Sequence, residues 1–574
     1  MVLFSLPNAE AQRRPLDGSA DLRRELLDED RFRDEVGVSD AREDEPENFG
    51  DPTPLGVDLK ALVVLPHQDA ATLDASVGAE PILIDAEVPA PEGLRAALEP
   101  FLGRPLSLAL LGELQRDVVL AWRDSEYPLV DVYFPEQNVT GGKVQLVVRE
   151  AVMGMKKVEG AKVSREEYLL GQLGIEAGDR VNRREVESDL DWLNENPIRQ
   201  VNLIYQRGAS DGTTDIQLDV HEKKQLSAYT SYGNTGVELT GEEEWAFGFY
   251  YANPFQTEQG FGYNYGTDQN WESLEAHSAF YQGFLPWQHT VRLIGAYVTS
   301  ASEDPLAVGI DGLSRQLTGE YHIPLPRPRF NRLVRHALTF AFDYKSTNTD
   351  LIFGGVNVFS NEIAIGQFRG QYEFALPDPH GYSKFSAGFV GSPGDLYGNN
   401  TDVAFDQARV GSDAAYTYFF GEAERLQRLP HDFSLRLKLA GQATSDRLPT
   451  PEQFLTGGYT SVRGFDENAV RGDSGILATV ELISPDFSVF GTHGVEGLPD
   501  TWNALLFVDS AALDLSSPVL GETSASLSSV GVGVNGRFGE TGFVRASYGW
   551  RVSEDEVPID GENGKFHFGV TLAY

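Results

Sequence analysis

Two short stretches put charged residues where pairing chemistry could follow. Gly457-Gly458-Tyr459-Thr460-Ser461-Val462-Arg463-Gly464-Phe465 sets an arginine among glycines, and Phe507-Val508-Asp509-Ser510-Ala511 sets an aspartate in an apolar run. A guanidinium fork satisfies a carboxylate through two parallel hydrogen bonds, the geometry needed where a carboxylate is confined away from bulk water. These residues offer charge pairing rather than bond breaking.

Patterns that would signal catalysis fail on their surroundings. Gly472-Asp473-Ser474-Gly475 has the look of a protease nucleophile loop, but it lacks the following glycine and a His/Asp framework, and reads as a turn beside a strand. Gly531 to Gly536 spells G-x-G-x-x-G, yet it lies within alternating Val530, Val532 and Val534 and opens no helix. The 10 histidines form no H-E-x-x-H pair, no Walker A sequence occurs, and the acidic clusters lack EF-hand spacing. With 0 cysteines, disulfides and thiolate metal sites are excluded. No enzymatic activity, cofactor or metal is expected. The 46 Lys+Arg against 86 Asp+Glu give a formal charge of −40, the wrong sign for a nucleic-acid partner.

The elements that must position Arg463 and Asp509 follow from periodicity. From Lys223 to Tyr574 apolar residues recur every second position. Phe566, Phe568, Val570, Leu572 and Tyr574 share one face against His567, Gly569 and Thr571, and Phe433, Leu435, Leu437 and Leu439 oppose Ser434, Arg436 and Lys438. Alternation with Arg and Lys on the second face suits a lipid face and a wet lumen, not the dry core of a soluble sandwich. Turn signals divide the region into about sixteen strands, near 225, 243, 260, 272, 288, 312, 334, 356, 382, 404, 430, 473, 501, 526, 541 and 564. An even number closes a transmembrane barrel. Short turns on one side and longer polar loops around 301–312, 393–403 and 446–471 on the other fit the two sides of an outer-membrane barrel. If Leu506 and Val508 face lipid, Phe507 and Asp509 face the lumen, where Glu481 also points; Arg436, Lys438, Arg537, Arg545 and Arg551 make that lumen basic.

Ahead of the barrel, residues 57–222 read as mixed α/β and repeat one order. The first unit, 57–152, has a strand at Pro81–Ile84, helices over Glu92–Leu102 and from the cap Ser107 to Ala121, and strands Leu129–Phe134 and Lys143–Val148. The second, 153–222, has a strand near Lys156–Glu159, helices from Ser164 and over Arg183–Leu193, and strands Gln200–Gln206 and Asp215–Val220. Two β-α-α-β-β units are the economical parse. Residues 1–56 are acidic and too polar for a core, with one candidate helix at Asp21–Val36. Met1–Leu6 has no basic n-region or apolar h-region, so an export signal is expected to have been removed or to lie outside this numbering.

Several of these segments resemble a known family. Leu102-Gly103-Arg104-Pro105-Leu106-Ser107, Glu126-Tyr127-Pro128, Tyr133-Phe134-Pro135-Glu136-Gln137 and Leu193-Asn194-Glu195-Asn196-Pro197 resemble the two polypeptide-transport-associated (POTRA) domains of two-partner secretion transporters, the haemolysin/filamentous-haemagglutinin secretion-activation family. Val462-Arg463-Gly464-Phe465 resembles that barrel superfamily's signature loop. Phe507 to Ala511 resembles its aromatic-x-Asp-x-Gly strand, with Ala511 in place of the glycine.

The resemblance implies two POTRA domains followed by a 16-stranded antiparallel barrel in the outer membrane of a Gram-negative cell, the POTRA domains being periplasmic. It implies export, without ATP, of an unfolded partner protein with an N-terminal secretion domain, through a barrel that contacts outer-membrane lipid as a monomer. It further implies that the loop folds back into the lumen, where Arg463 pairs with Asp509, with Glu481 a further candidate, while Gly464 allows the tight tip and Phe465 packs beside it. The helix 21–36 is then a candidate plug. Two other functions share these parts: an outer-membrane assembly insertase and a passive diffusion channel. Paired docking domains favour secretion.

Overall fold

The computed structural model describes residues 50–574 apart from 73–79, 124, 211, 238–239, 304–307, 329, 332, 354–355, 492–499, 540 and 556–562. The candidate plug helix 21–36 and nearly all of the acidic extension lie outside the described residues. The contacts divide the described residues into two units, one up to Lys223 and the other from Lys224 to Tyr574.

The first unit contains two small sheets. In the first, Ala61–Leu65 lies between Ile82–Ile84 and Lys143–Glu150, parallel to both, and Val130–Tyr133 pairs antiparallel outside Lys143–Glu150. The sequence reading began this sheet at Pro81–Ile84, so the strand Ala61–Leu65 is a correction. It shows no alternation because both its faces are covered: Leu62 and Val64 pack into the main core with Leu114 and Trp122, while Val63 and Leu65 pack with Val147. The helix Leu108–Arg123 buries Leu110, Leu114, Val118 and Trp122 along one face, and its first turn is capped by Ser107 Oγ, which accepts from Leu110 N at 3.1 Å. Leu114→Ala removes a fully buried side chain and is expected to destabilise this unit by about 2–5 kcal/mol, read from its denaturant midpoint.

The second sheet places Thr213–Glu222 between Val152–Glu159 (parallel) and Arg199–Arg207 (antiparallel), with the helices Glu166–Gly171 and Arg183–Asn194. Asn182 caps the second helix by accepting from Arg184 N. The end of the central strand fixes the segment ahead of the first helix, because the Glu222 carboxylate accepts the backbone N–H groups of Lys162 (2.6 Å), Val163 (2.6 Å) and Ser164 (2.8 Å). Burial alone would raise the pKa of Glu222, but these donors outweigh it and hold the group below its ordinary value. A depressed folded-state pKa stabilises above the unfolded value, and that stability is lost as pH falls through the folded value. Acid titration of the wild type is therefore expected to show a loss of stability below the ordinary carboxylate range that Glu222→Gln flattens; identical pH profiles would count against it.

The two sheets of this unit are joined by specific contacts. The Arg180 guanidinium sits 3.7 Å over the Tyr127 ring and pairs with Glu150 at 2.5 Å, and Arg183 N donates to Glu126 O at 3.0 Å.

The second unit is a closed barrel of sixteen antiparallel strands, from Leu226–Gly233 to Gly564–Ala573, which pair with each other to shut it. Closure excludes the sandwich. The alternation resolves into an outer and an inner face: Phe566, Val570 and Leu572 are 51%, 38% and 58% exposed, whereas His567 and Thr571 are buried. Two expected features differ. The strand placed near 404 begins at Ala415, because Thr401 caps a short helix, Asp402–Ala408, whose Phe405 is buried against Ile365 and Tyr418. The segment expected as a loop around 301–312 belongs largely to the strands Thr290–Glu303 and Val308–Leu325, which pair along it. The glycines of 531–536 lie in the strand Ala525–Phe538; at Gly531 a Cβ would meet the Phe507 ring at 2.2 Å, so the lumen side there is crowded.

Candidate functional site: the loop seated in the barrel lumen

The strands Ser474–Ile483 and Asp500–Asp514 are neighbours, with Thr479 opposite Asp509 and Glu481 opposite Phe507. Their outward residues, among them Val480, Leu506 and Val508, are exposed, which turns Glu481, Phe507 and Asp509 into the lumen, all buried. A carboxylate so enclosed needs a cation, and the connection 444–473 between the strands Ser434–Ala443 and Ser474–Ile483 supplies it.

Arg463 is 6% exposed and uses nearly its whole fork. Nε donates to Asp509 Oδ2 at 2.8 Å, Nη2 to Asp509 Oδ1 at 2.9 Å, and Nη1 to Glu481 Oε1 at 2.6 Å. The backbone N–H of the same residue also donates to Asp509 Oδ2 at 3.1 Å, and the guanidinium lies 3.5 Å over the Phe507 ring. Two carboxylates, a π face and a bidentate fork converge, an arrangement lysine could not reproduce.

The residues around Arg463 shape the tip. Gly464 has φ +92°, and a Cβ there would lie 2.7 Å from Gly549 O, so both conformation and space require glycine. Its N–H donates to His567 Nε2 at 3.1 Å and its carbonyl accepts from Arg551 Nε at 2.7 Å. Val462 and Phe465 pack with Val470, Leu477, Ala511, Leu513 and Leu527. Ala511, in the position where the resembled motif has glycine, thus lies in the small apolar core beneath the tip.

The basic residues expected in the lumen have separate tasks. Arg436 pairs with Glu424 (3.2 Å) and Glu481 (3.5 Å), and Lys438 with Glu422 (3.1 Å). Arg545 lies 3.9 Å over the Tyr459 ring and Arg551 4.9 Å over the Phe465 ring. Arg537 is not brought to this cluster; it pairs in register with Thr501, eight positions along the strand from Asp509.

Sequence reasoning missed several participants. Alternation puts His567 on the lumen face without showing what it touches, and no sequence signal ties Gly549 to the loop, although a Cβ there would meet Arg463 C at 2.6 Å. Asp473, weighed against a protease loop, is a buried ion-pair partner of Arg409. Glu452, with 0% exposure and Lys345 at 2.6 Å, had no local signal at all. No cluster of three or more potential metal ligands occurs among the described residues.

Comparison with known proteins bears on the family and the fold. The family described as haemolysin secretion/activation protein ShlB/FhaC/HecB matches residues 212–496, and the POTRA domain of ShlB type matches 83–151. The chain belongs to the haemolysin secretion/activation family. Among relatives of this family member, outer membrane transporter CdiB-2 of Burkholderia pseudomallei (strain 1026b) is 24% identical over 378 residues, 62% of each chain. The heme/hemopexin transporter protein HuxB of Haemophilus influenzae is 19% identical over 403 residues, 67% of this chain and 68% of the relative. The chain thus spans just under two thirds of the Burkholderia relative's length.

Among solved structures, CdiB from Escherichia coli superposes with a TM-score of 0.70 at 16% identity, covering 97% of this chain and 98% of that one. BamA from Haemophilus ducreyi lacking POTRA domains 1-3 gives 0.50 at 13%, covering 84% and 97%. Both likenesses concern the fold. As a member of this family the chain is an outer-membrane barrel protein with periplasmic POTRA domains.

Proposed function

We propose that this chain exports a dedicated partner protein across the outer membrane, and that its only chemistry is binding, with no enzymatic step. The observation that carries the proposal is the Arg463 tip seated in the lumen of a sixteen-stranded barrel that follows two small sheet domains in the chain. The sheets offer edges, Ile82–Ile84 and Val130–Tyr133 in the first and Val152–Glu159 and Arg199–Arg207 in the second, to which an extended cargo segment adds a strand. Backbone pairing of this kind holds an unfolded chain without demanding a long recognition sequence, and folding of the cargo outside supplies the direction of travel.

The barrel acts as a monomer, since its closed sheet leaves no strand edge for a second copy, and its exposed aliphatic and aromatic outer face meets lipid. The test is co-expression with a large secreted protein encoded beside this chain, with and without residues 57–222. Export is expected only with the intact chain. Undiminished export after the deletion would overturn the proposal, and loss of other barrel proteins from the membrane instead of one secreted protein would favour an assembly insertase.

A further inference from the structure

The 444–473 loop is fastened at its base as well as at its tip. On the leg entering the lumen, the Glu452 carboxylate meets Lys345 Nζ at 2.6 Å, Gln367 Nε2 at 3.1 Å and the Tyr418 hydroxyl at 2.9 Å, each from a different wall strand: Arg335–Phe353, Val356–Asp378 and Ala415–Arg428. On the returning leg, Asp473 takes the Arg409 fork and also accepts Leu448 N at 3.2 Å and Ser516 N at 2.9 Å. Gln442 Nε2 donates to the backbone oxygens of both Glu452 and Asp473, at 3.0 Å each, and so ties the legs together. Glu452 and Asp473 are both 0% exposed. Above them a hairpin pairs Phe454–Thr456 with Val470–Gly472.

Immediately past that hairpin come Gly457 at φ +107° and Gly458 at φ +100°. Such positions absorb large changes in φ and ψ at little steric cost, as hinges do. Beyond them the tip is held at Arg463, by the Gly464 N–H on His567 and its carbonyl on Arg551 Nε, and by Asp466 on Lys565. Withdrawing the whole loop would break the Glu452–Lys345 and Asp473–Arg409 ion pairs besides, each leaving an enclosed charge unpaired, while the hairpin would travel with it. Withdrawing the tip alone breaks the Arg463 centre and the Gly464 and Asp466 contacts beside it and leaves both base pairs intact.

We infer that the loop works as a fixed base and a moving tip: Glu452 and Asp473 are positioning residues that keep the two legs in place while residues 457–469 swing out of the lumen on the glycine pair. This rests on the transport reading above and specifies which part of the loop moves.

The absence of native cysteine makes the test clean. One full-length variant carries Arg447→Cys and Glu522→Cys, replacing an ion pair of 2.7 Å between the entering leg and the 515–524 loop, to fasten the base. A second carries Asp466→Cys and Lys565→Cys, replacing a tip-to-wall ion pair. Each is joined by a cleavable bifunctional thiol reagent, checked for barrel closure by heat-modifiable migration, and recorded as single channels in planar bilayers in potassium chloride. The tip crosslink is expected to cut opening events more than tenfold, with recovery on cleavage, whereas the base crosslink leaves them within about twofold of the wild type.

Suppression of openings by the base crosslink would overturn the inference and leave the transport reading standing. Openings that survive the tip crosslink would overturn it as well. A wild type that never conducts would sink both. Should the first pair prevent insertion, Thr444→Cys with Ser516→Cys, where the Ser516 hydroxyl donates to Thr444 O at 3.4 Å at the start of the entering leg, makes the same base measurement.

Discussion

Asp509→Asn is expected to reduce export by at least tenfold while the barrel still inserts and closes. Asparagine keeps the shape of the side chain but removes the charge that answers the Arg463 fork, which then faces Glu481 alone. Removing one partner of a buried ion pair costs about 3–5 kcal/mol, and because Glu481 still answers part of the Arg463 charge the low end, about 3 kcal/mol, is expected here. At about 1.4 kcal/mol per tenfold, the seated state of the tip loses two orders of magnitude or more in population. Arg463→Lys is expected to be nearly as damaging, since a point-charge ammonium cannot span Asp509 and Glu481 while lying on the Phe507 ring. Heat-modifiable migration reports the barrel and secreted cargo reports transport. Normal export by both variants would remove the ion pair from the mechanism.

The parts of the fold that were legible in the sequence are those whose environment writes a period. The barrel strands face lipid on one side and a polar lumen on the other, so Phe566 to Tyr574 alternates without interruption and inside is distinguished from outside residue by residue. Asp509 and Glu481 could be singled out because a charge forced inward by alternation needs a partner, whereas Arg463, in a loop without alternation, can be tied to them in the sequence only by the resemblance of Val462 to Phe465 to the family's signature loop. Ala61–Leu65 hid for the opposite reason: covered on both faces, it carries no alternation, and five apolar residues alone do not separate a strand from a piece of helix. Glu452 and Lys345 were invisible for a third reason. They are 107 residues apart, and a carboxylate in Thr450-Pro451-Glu452-Gln453 looks like any solvated turn until the loop is seen to enter the lumen.

The seat of the tip makes a second demand, on space rather than charge, and Gly549 is where it is met. This residue lies on the lumen face of the strand Gly542–Asp555, and a Cβ added to it would stand 2.6 Å from both Arg463 C and Gly464 N. Those neighbours are backbone, which cannot swing aside as the end of a side chain would. Valine is nonetheless a favourable strand residue, so Gly549→Val leaves the wall intact and denies the loop its seat. The expected result is a closed, inserted barrel with frequent channel openings and export reduced to the level of Asp509→Asn. Adding Asp509→Asn to Gly549→Val should then lower export little further, because a fork that never reaches its carboxylate has nothing left to lose from it. If the two losses instead multiplied, charge and space would be acting at separate steps, and the Arg463 centre would not be the single point at which the tip is held.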